Sequence, residues 1–430
     1  MLRAVRKMNS LTMSHINISL KPLFFMSRMF GLLPLSFSEL DVDRGEVFSF
    51  RVSDICFLLI WILVILTMIG CNLYFAIYCF PNVPKKIKIA FLVYAFFFSL
   101  TKIVIIVKTN FTNSGNITKL MKKFLTIDQF IDRRSRIHMY KKIRLQILKT
   151  GAIVFITQII LYPVLYSGEA SGQSIITAIL RSSVQTLSVT FHIILSVEYV
   201  SIVHMLKCRY EYFNGILLEY FNKKNKTTET PSKYKNLQLS VNIGYIELPA
   251  LSGRDLTGTA RALHGRHTIS YLRMIYLKIY DSVTLINSYF GFPILLETVS
   301  MVITCVTALY YGVYALDLDS DFSVNRLPTY MTSGYLISLS ILHLSVFAWM
   351  IVCCHKTTQE ANKGIYFIHR ISLDRDIHYS IITELDKLLS QLINMRVQFT
   401  ACGLFALNPT FLCTIFSGII TYILIMVQLS

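Results

Sequence analysis

FLCTIFSGIITYILIMVQL, Phe411 to Leu429, is the stretch on which the rest of the chain turns. It carries no charge and comes close to the ~20 apolar residues that cross a hydrocarbon core as a helix. Yet Thr414, Ser417, Thr421, Leu424 and Gln428 step by three, four, three and four, so one stripe of this apolar helix is mostly polar. A polar stripe facing lipid would leave its hydrogen-bonding groups unpaired, so it faces a neighbouring helix or water. Two readings stay open here. Ser417 and Gly418 allow the close approach of a packing seam, and several copies of the helix around one axis would make the stripe a pore wall.

Composition extends the membrane reading to the whole chain. Of 430 residues, 54% are hydrophobic and 15% charged, with a mean hydropathy of +0.54, which is more apolar surface than one water-soluble core requires. The net charge of +18 fits loops facing anionic lipid better than a nucleic-acid partner. Most of the nine cysteines, among them Cys56, Cys71, Cys305, Cys353, Cys354 and Cys413, fall in apolar runs as small hydrophobes, with neither a disulfide framework nor zinc spacing. Lys21 and Arg28 interrupt the apolar letters between Leu20 and Phe37, so that segment reads as an amphipathic lead-in rather than a cleaved signal.

Seven stretches are long enough to span, near Ile55–Cys79, Ile87–Val107, Ile147–Tyr166, Ile175–His204, Val283–Tyr311, Tyr330–Cys354 and Phe411–Leu429. Connections alternate in charge. Lys119, Lys122, Lys123, Arg133, Arg134, Arg136, Lys141, Lys142 and Arg144 crowd the second, whereas GEASG at 168–172 has no basic residue and DLDSD at 317–321 is acidic. The positive-inside rule then predicts an all-α integral membrane protein of seven transmembrane helices with a cytoplasmic N-terminus and an extracellular C-terminus. Two glycosylation sequons, at Asn110 and Asn116, fall in the second connection and oppose this orientation; the density of basic residues beside them outweighs the short motif. The polar run NKKNKTTETPSK within 222–233 has the composition of a disordered loop, flanked by helix-compatible Tyr210–Phe221 and Ile269–Ile279.

Asp132-Arg133-Arg134 and Asn408-Pro409 mimic motifs of G-protein-coupled receptors, but Asp132 lies well before the third span, and Leu412 stands where that family's last helix has a tyrosine. The inferred orientation is also inverted. A transporter built on repeats would need discontinuous helices and symmetric halves, which the pattern lacks.

Phe399 to Gln428, FTACGLFALNPTFLCTIFSGIITYILIMVQ, resembles the C-terminal signature of insect gustatory receptors: Cys402-Gly403, then Thr421-Tyr422, five mostly apolar residues and Gln428. PLFFMSRMFGLLPLSF at 22–37, Asn287 with Phe290-Gly291, and Glu360-Ala361 resemble further parts of the family. The resemblance implies a tastant-gated nonselective cation channel of the plasma membrane, expected on sensory dendrites and assembled as a homotetramer or with related receptors. Its partners would be a small-molecule tastant, permeant cations and membrane lipid, with no cofactor. It further implies a cytoplasmic segment over 1–53, a six-helix ligand-binding bundle over 54–355 with cytoplasmic loops 108–146 and 205–281, an inter-subunit anchor over 356–405, and a pore-lining helix over 406–430. Thr414, Ser417, Thr421, Tyr422, Leu424, Gln428 and Leu429 would form the pore and gate, Leu429 standing where the family usually has Phe. The ending suits a bitter or other plant-derived tastant, with a sugar or fructose receptor of the same family as the alternative.

Lys102, Arg181, Glu198 and Glu297 are ionisable residues inside spans, and such groups need a partner or a function. An internal ion pair or snorkelling explains Lys102 and Glu198. The ligand cleft implied by the resemblance opens outward among the earlier helices. On their outward halves stand Gln158, Tyr162, Tyr166, Arg181, Gln185, Tyr335 and His343, a mixture of aromatic walls and a few polar groups. Interfacial aromatic belts account for Tyr310, Tyr311 and Tyr330. No constellation in the sequence points to metal binding, hydrolysis or group transfer, so the chain reads as a non-enzyme.

Overall fold

A computed structural model describes residues 20–33, 52–74, 85–112, 114–131, 133–169, 175–225, 258–318, 327–372 and 379–428, and within these the chain is almost entirely helical. Helix α1 covers residues 20–29. It is followed by α2 (Val52–Tyr74), α3 (Lys85–Val107), a π-helical turn (Lys108–Thr112), α4 (Ser114–Asp128), α5 (Arg133–Glu169), α6 (Ile175–Asn225), α7 (Gly258–Leu318) and α8 (Leu327–Ser372). The chain then forms α9 (Tyr379–Asn394), a two-stranded antiparallel hairpin of β1 (Thr400–Ala401) and β2 (Phe405–Ala406), and α10 (Pro409–Gln428).

Four stretches among the described residues are long and apolar enough to cross a membrane: Val52–Tyr74, Ser183–Leu218, Thr268–Tyr310 and Leu336–Ser372. Ala95–Phe111 with Gly115–Asp128 makes a fifth as a bent pair, and Pro409–Ile425 is a shorter apolar helix. The expected third span lies on α5. Helix continues well past the boundaries read from hydropathy. α6 runs on through Asn225 and α7 begins at Gly258, so both ends of the expected 205–281 loop are helical, because Phe213, Leu217, Ile269 and Leu272 supply a buried stripe there. Residues 226–257 lie outside the described residues.

α6 is the central element. Of the apolar window on Ser183–Leu218, 89% is buried, against 22% for Val52–Tyr74, which places α2 at the periphery. α5, α7 and α8 pack around α6, and one core runs from Leu20 to Ile419 through Tyr199, Phe213, Tyr276, Phe290 and Leu388. A second, smaller cluster joins Leu32, Leu58, Ile65, Ile105, Ile106 and Phe191.

The bend between α3 and α4 measures 57°. Here the π turn leaves carbonyls without their usual partners, and side chains take them up: Thr109 donates to the Ile105 carbonyl at 2.9 Å and Asn110 to that of Ile106 at 2.8 Å. Asn110 also donates at 2.7 Å to the carbonyl of Gly31, whose φ of 69° ends α1 in the left-handed conformation against Trp61. Asn110 is therefore buried, and the second sequon residue, Asn116, donates to Ser288 at 3.1 Å. Both asparagines are used as structural hydrogen-bonding groups.

Past the bend, Asp128 closes α4 and is fully buried. It accepts from Arg209 of α6 at 2.8 Å and from the Tyr140 hydroxyl of α5, while Arg136 donates to its carbonyl at 2.9 Å. Arg209 also lies over the Phe124 ring at 4.0 Å. Burial, and then the Asp128 carboxylate beside it, push the Tyr140 phenol well above its ordinary range, so it stays a donor. Three helices are pinned at one point by a charge pair that cannot lose either member cheaply.

Candidate functional site

The hairpin and α10 form one unit attached to α7. Cys402 and Gly403 both have positive φ, 53° and 74°, and Leu404 N–H closes the turn on the Ala401 carbonyl at 3.0 Å. The segment expected as an anchor, 356–405, thus ends in this hairpin after α9, and Ala406, expected in the last helix, belongs to β2. Asn408 then caps α10, its side-chain oxygen accepting from Phe411 N–H at 2.9 Å with Pro409 at the first helical position. That Asn-Pro pair is a helix start, which is why it looked out of place as a receptor motif.

α7 grips this unit along its length. Arg273 meets Glu384 at 3.4 Å and Gln391 at 3.3 Å, Tyr276 donates to the Met395 carbonyl at 2.9 Å, and Asn287 donates to the Gln398 carbonyl at 2.8 Å while accepting from Thr400 N–H at 3.2 Å. Leu385, Leu388 and Leu392 bury the inner stripe of α9.

α10 has two faces. Ile415 and Ile419 are buried and Phe411, Leu412 and Ile423 pack against the core. Thr414, Ser417, Thr421, Tyr422, Leu424 and Gln428 are all exposed, with Thr421 donating to the Ser417 carbonyl at 2.9 Å. The polar stripe therefore points away from its own bundle, and packing within the chain, one of the two readings of its spacing, does not account for it. Leu429 lies outside the described residues.

A second polar centre is buried within the bundle. Lys102 of α3 donates to Ser188 of α6 at 2.8 Å and sits 4.0 Å from the Phe98 ring centroid. His192 of α6 bonds Glu297 of α7 through Nδ1, and its ring lies 4.3 Å from Phe98 and 6.0 Å from His343 of α8. His192, Ser196, Glu297 and His343 line a cavity of about 10 Å³, enough for one water. Nε2 of both histidines has no hydrogen-bond partner among the described residues. Polar groups from four helices meet here with unused capacity, which fits hydrogen bonding to a small polar group. Among the described residues no group of three or more His, Cys, Asp or Glu side chains could hold a metal ion.

The structure brings His343 and Glu297 together and leaves Gln185 half-buried one turn before Ser188. Gln158, Tyr162, Tyr166, Arg181 and Tyr335 lie outside the described side chains. Lys102 bonds a serine rather than the carboxylate expected for it, and Glu198 is buried beside Ser27 of α1 and near Tyr289 of α7. His192 escaped the sequence reading although a signal existed: Gln185, Ser188, His192 and Ser196 step by three, four and four, the same polar stripe that singled out α10.

The whole fold resembles that of the insect olfactory receptor OR5 from Machilis hrabei in complex with eugenol, with a TM-score of 0.61 over 97% of this chain and 99% of that one at 10% identity. The shared architecture is a bundle of long helices ending in a last apolar helix. The 7tm Chemosensory receptor family model matches residues 20–430, and the chain belongs to that family. Two relatives from Drosophila melanogaster are "Gustatory and pheromone receptor 32a", 38% identical over 20% of this chain and 18% of its own length, and "Gustatory receptor for sugar taste 43a", 26% identical over 54% and 55%. The chain thus matches about half, or less, of the length of these curated relatives.

Proposed function

We propose that the chain is a tastant-gated nonselective cation channel of the plasma membrane, built as a tetramer with α10 of each subunit lining one central pore. The observation that carries this reading is the exposed stripe Thr414, Ser417, Thr421, Leu424 and Gln428, four of its five residues polar and all turned away from their own subunit on an apolar helix. Thr414 and Thr421 donate to carbonyls one turn back, and the rest of the stripe's hydrogen-bonding capacity, above all the Gln428 amide, is best met in hydrocarbon by copies of the helix or by water. Loop charge favours seven spans with the N-terminus inside and Gln428 at the outer mouth, where it and apolar Leu429 would form the gate, an apolar constriction closing by dewetting.

The buried centre supplies the trigger. Glu297 and Gly291 lie on one helix about 9 Å apart along its axis, with Pro293 between them. Pro293 lacks the N–H that would tie this turn of α7, so α7 bends there more readily than elsewhere. A ligand rearranging His192, Glu297 and His343 would then move the Asn287–Gly291 grip on the hairpin, and with it α10. Gln158, Tyr162, Tyr166, Arg181, Gln185 and Tyr335 would flank the entry from outside.

The ending of the chain favoured a bitter or plant-derived tastant. A second reading is a hydroxyl-rich tastant: a cavity sized for one water takes one hydroxyl, and Glu297, Ser196 and the Nε2 atoms of His192 and His343 line it beside apolar Met301, Leu342 and Phe347. Expression in a cell without other chemoreceptors, with calcium and current readout against sugars, polyols and bitter alkaloids, tests both. Cation current on ligand addition without G-protein reagents supports the channel. Silence of a surface-expressed protein across the panel would overturn it.

A further inference from the structure

Three lysines from three packed helices converge at one end of the bundle. On α8, Val352, Lys356, Gln359 and Lys363 form one exposed stripe that passes from apolar to basic between Val352 and Lys356. α5 makes the same passage in the opposite chain direction: Lys142 and Lys149 share a flank with exposed Leu145 between them, and exposed Ile153 and Ile156 follow. Lys207 of α6 is half-buried and reaches Glu211 at 3.3 Å. Arg209, two residues past Lys207, meets Tyr140 of α5 at 3.1 Å, two residues before Lys142, and the contacts Tyr199–Cys354 at 3.2 Å and Asn214–Glu360 at 2.7 Å bracket Lys207 and Lys356 on α6 and α8. The three lysines therefore stand at one level of three packed helices, where Glu211 is the carboxylate that meets Lys207. Exposed apolar side chains stand on the membrane side of this place, and the lysines stand at its edge.

We propose that the surface where α5, α6 and α8 meet, at Lys142, Lys207 and Lys356, binds the headgroup of a polyphosphorylated inositol phospholipid of the inner leaflet. Three lysines against one carboxylate exceed what a singly charged headgroup balances, and Leu145 and Val352 offer the adjoining apolar surface its acyl chains need. The proposal rests on the orientation given above, which puts this end of the bundle in the cytoplasm.

The test is native mass spectrometry of the full-length protein in nanodiscs of phosphatidylcholine containing either phosphatidylinositol bisphosphate or phosphatidylserine at equal total charge. The wild-type protein is expected to retain the bisphosphate lipid preferentially, and each of K142Q, K207Q and K356Q to weaken retention about fivefold. K119Q on α4 should leave it unchanged. Equal retention of the two lipids, or equal loss in K119Q, overturns the site. Should K207Q fail to fold, K142Q and K356Q alter exposed side chains and decide the matter. Nanodiscs present both faces, so a failure there defeats the site itself. An N-terminal epitope reached on intact cells would instead defeat the orientation, and with it the assignment to the inner leaflet.

Discussion

Gly291 of α7 lies against the backbone nitrogen of Cys402, so close that a Cβ added to the glycine would stand 3.0 Å from it. This approach brings the middle of the bundle's longest helix onto the hairpin that launches α10. Gly291→Ala must displace backbone rather than a flexible side-chain tip. It is expected to shift the ligand concentration for half-maximal current several-fold while surface expression persists. Gly418→Ala, whose added Cβ would meet nothing within 4 Å beyond its own helix among the described residues, probes a site free of intrachain crowding instead, and size-exclusion chromatography of the variant would report any loss of assembly.

Asn287 holds the hairpin with two hydrogen bonds, to Gln398 and from Thr400. Asn287→Ala removes both, at about 1–3 kcal/mol in total. If the grip transmits gating, the loss appears as a shifted dose–response curve with ligand binding intact. An unchanged curve would remove α7 from the coupling route.

Cysteine accessibility separates the two faces of α10. Thr421→Cys, on the exposed stripe, should react with a charged methanethiosulfonate and block current, while Ile419→Cys, buried against the core, should not. Equal protection of the two would sink the pore assignment. Gln428→Ala is expected to change gating or selectivity without loss of expression.

Asp128→Ala leaves Arg209 buried without its carboxylate, and about 3–5 kcal/mol of destabilisation is expected. Fluorescence-detected thermal melting would show it as a marked fall in Tm. Replacing the pair together by Asp128→Leu and Arg209→Met should recover much of the loss, because the uncompensated charge is then gone.

His343→Leu and Glu297→Gln disturb the buried centre by different means. The first removes an imidazole from the cavity wall, and the second keeps the shape but replaces a carboxyl oxygen with an amide nitrogen. Both should reduce ligand sensitivity about tenfold or more if the ligand hydrogen-bonds there. Normal responses in both variants would move ligand recognition to another part of the bundle.

Much of the fold could be read from local pattern. Apolar length located helices, although four or five of the described stretches, against the seven expected, are long and apolar enough to span. The stripe on α10 was visible as spacing, and its outward direction was not, because spacing places residues on a common face without saying what that face meets. His192 shows the complementary gap. Its stripe was present on α6, but its meaning depends on Glu297 and His343, which come from helices far along the chain. The hairpin at Cys402 was hidden because a non-glycine residue at positive φ leaves little trace in sequence. The ends of α6 and α7 were underestimated since their buried stripes continue past the apolar windows into charged sequence.

Asn110 has a role beyond holding Gly31. Its motif invites a glycan, yet the folded chain encloses its side chain, and in the proposed orientation that side of the bundle does not meet the glycosylating enzyme. A sugar at this position would mark a chain that entered the membrane the wrong way round, or was captured before α1 closed over it. Glycosidase-sensitive protein on a gel would then count errors of insertion, and the motif would serve the experimenter as a ready-made tally of misplaced copies.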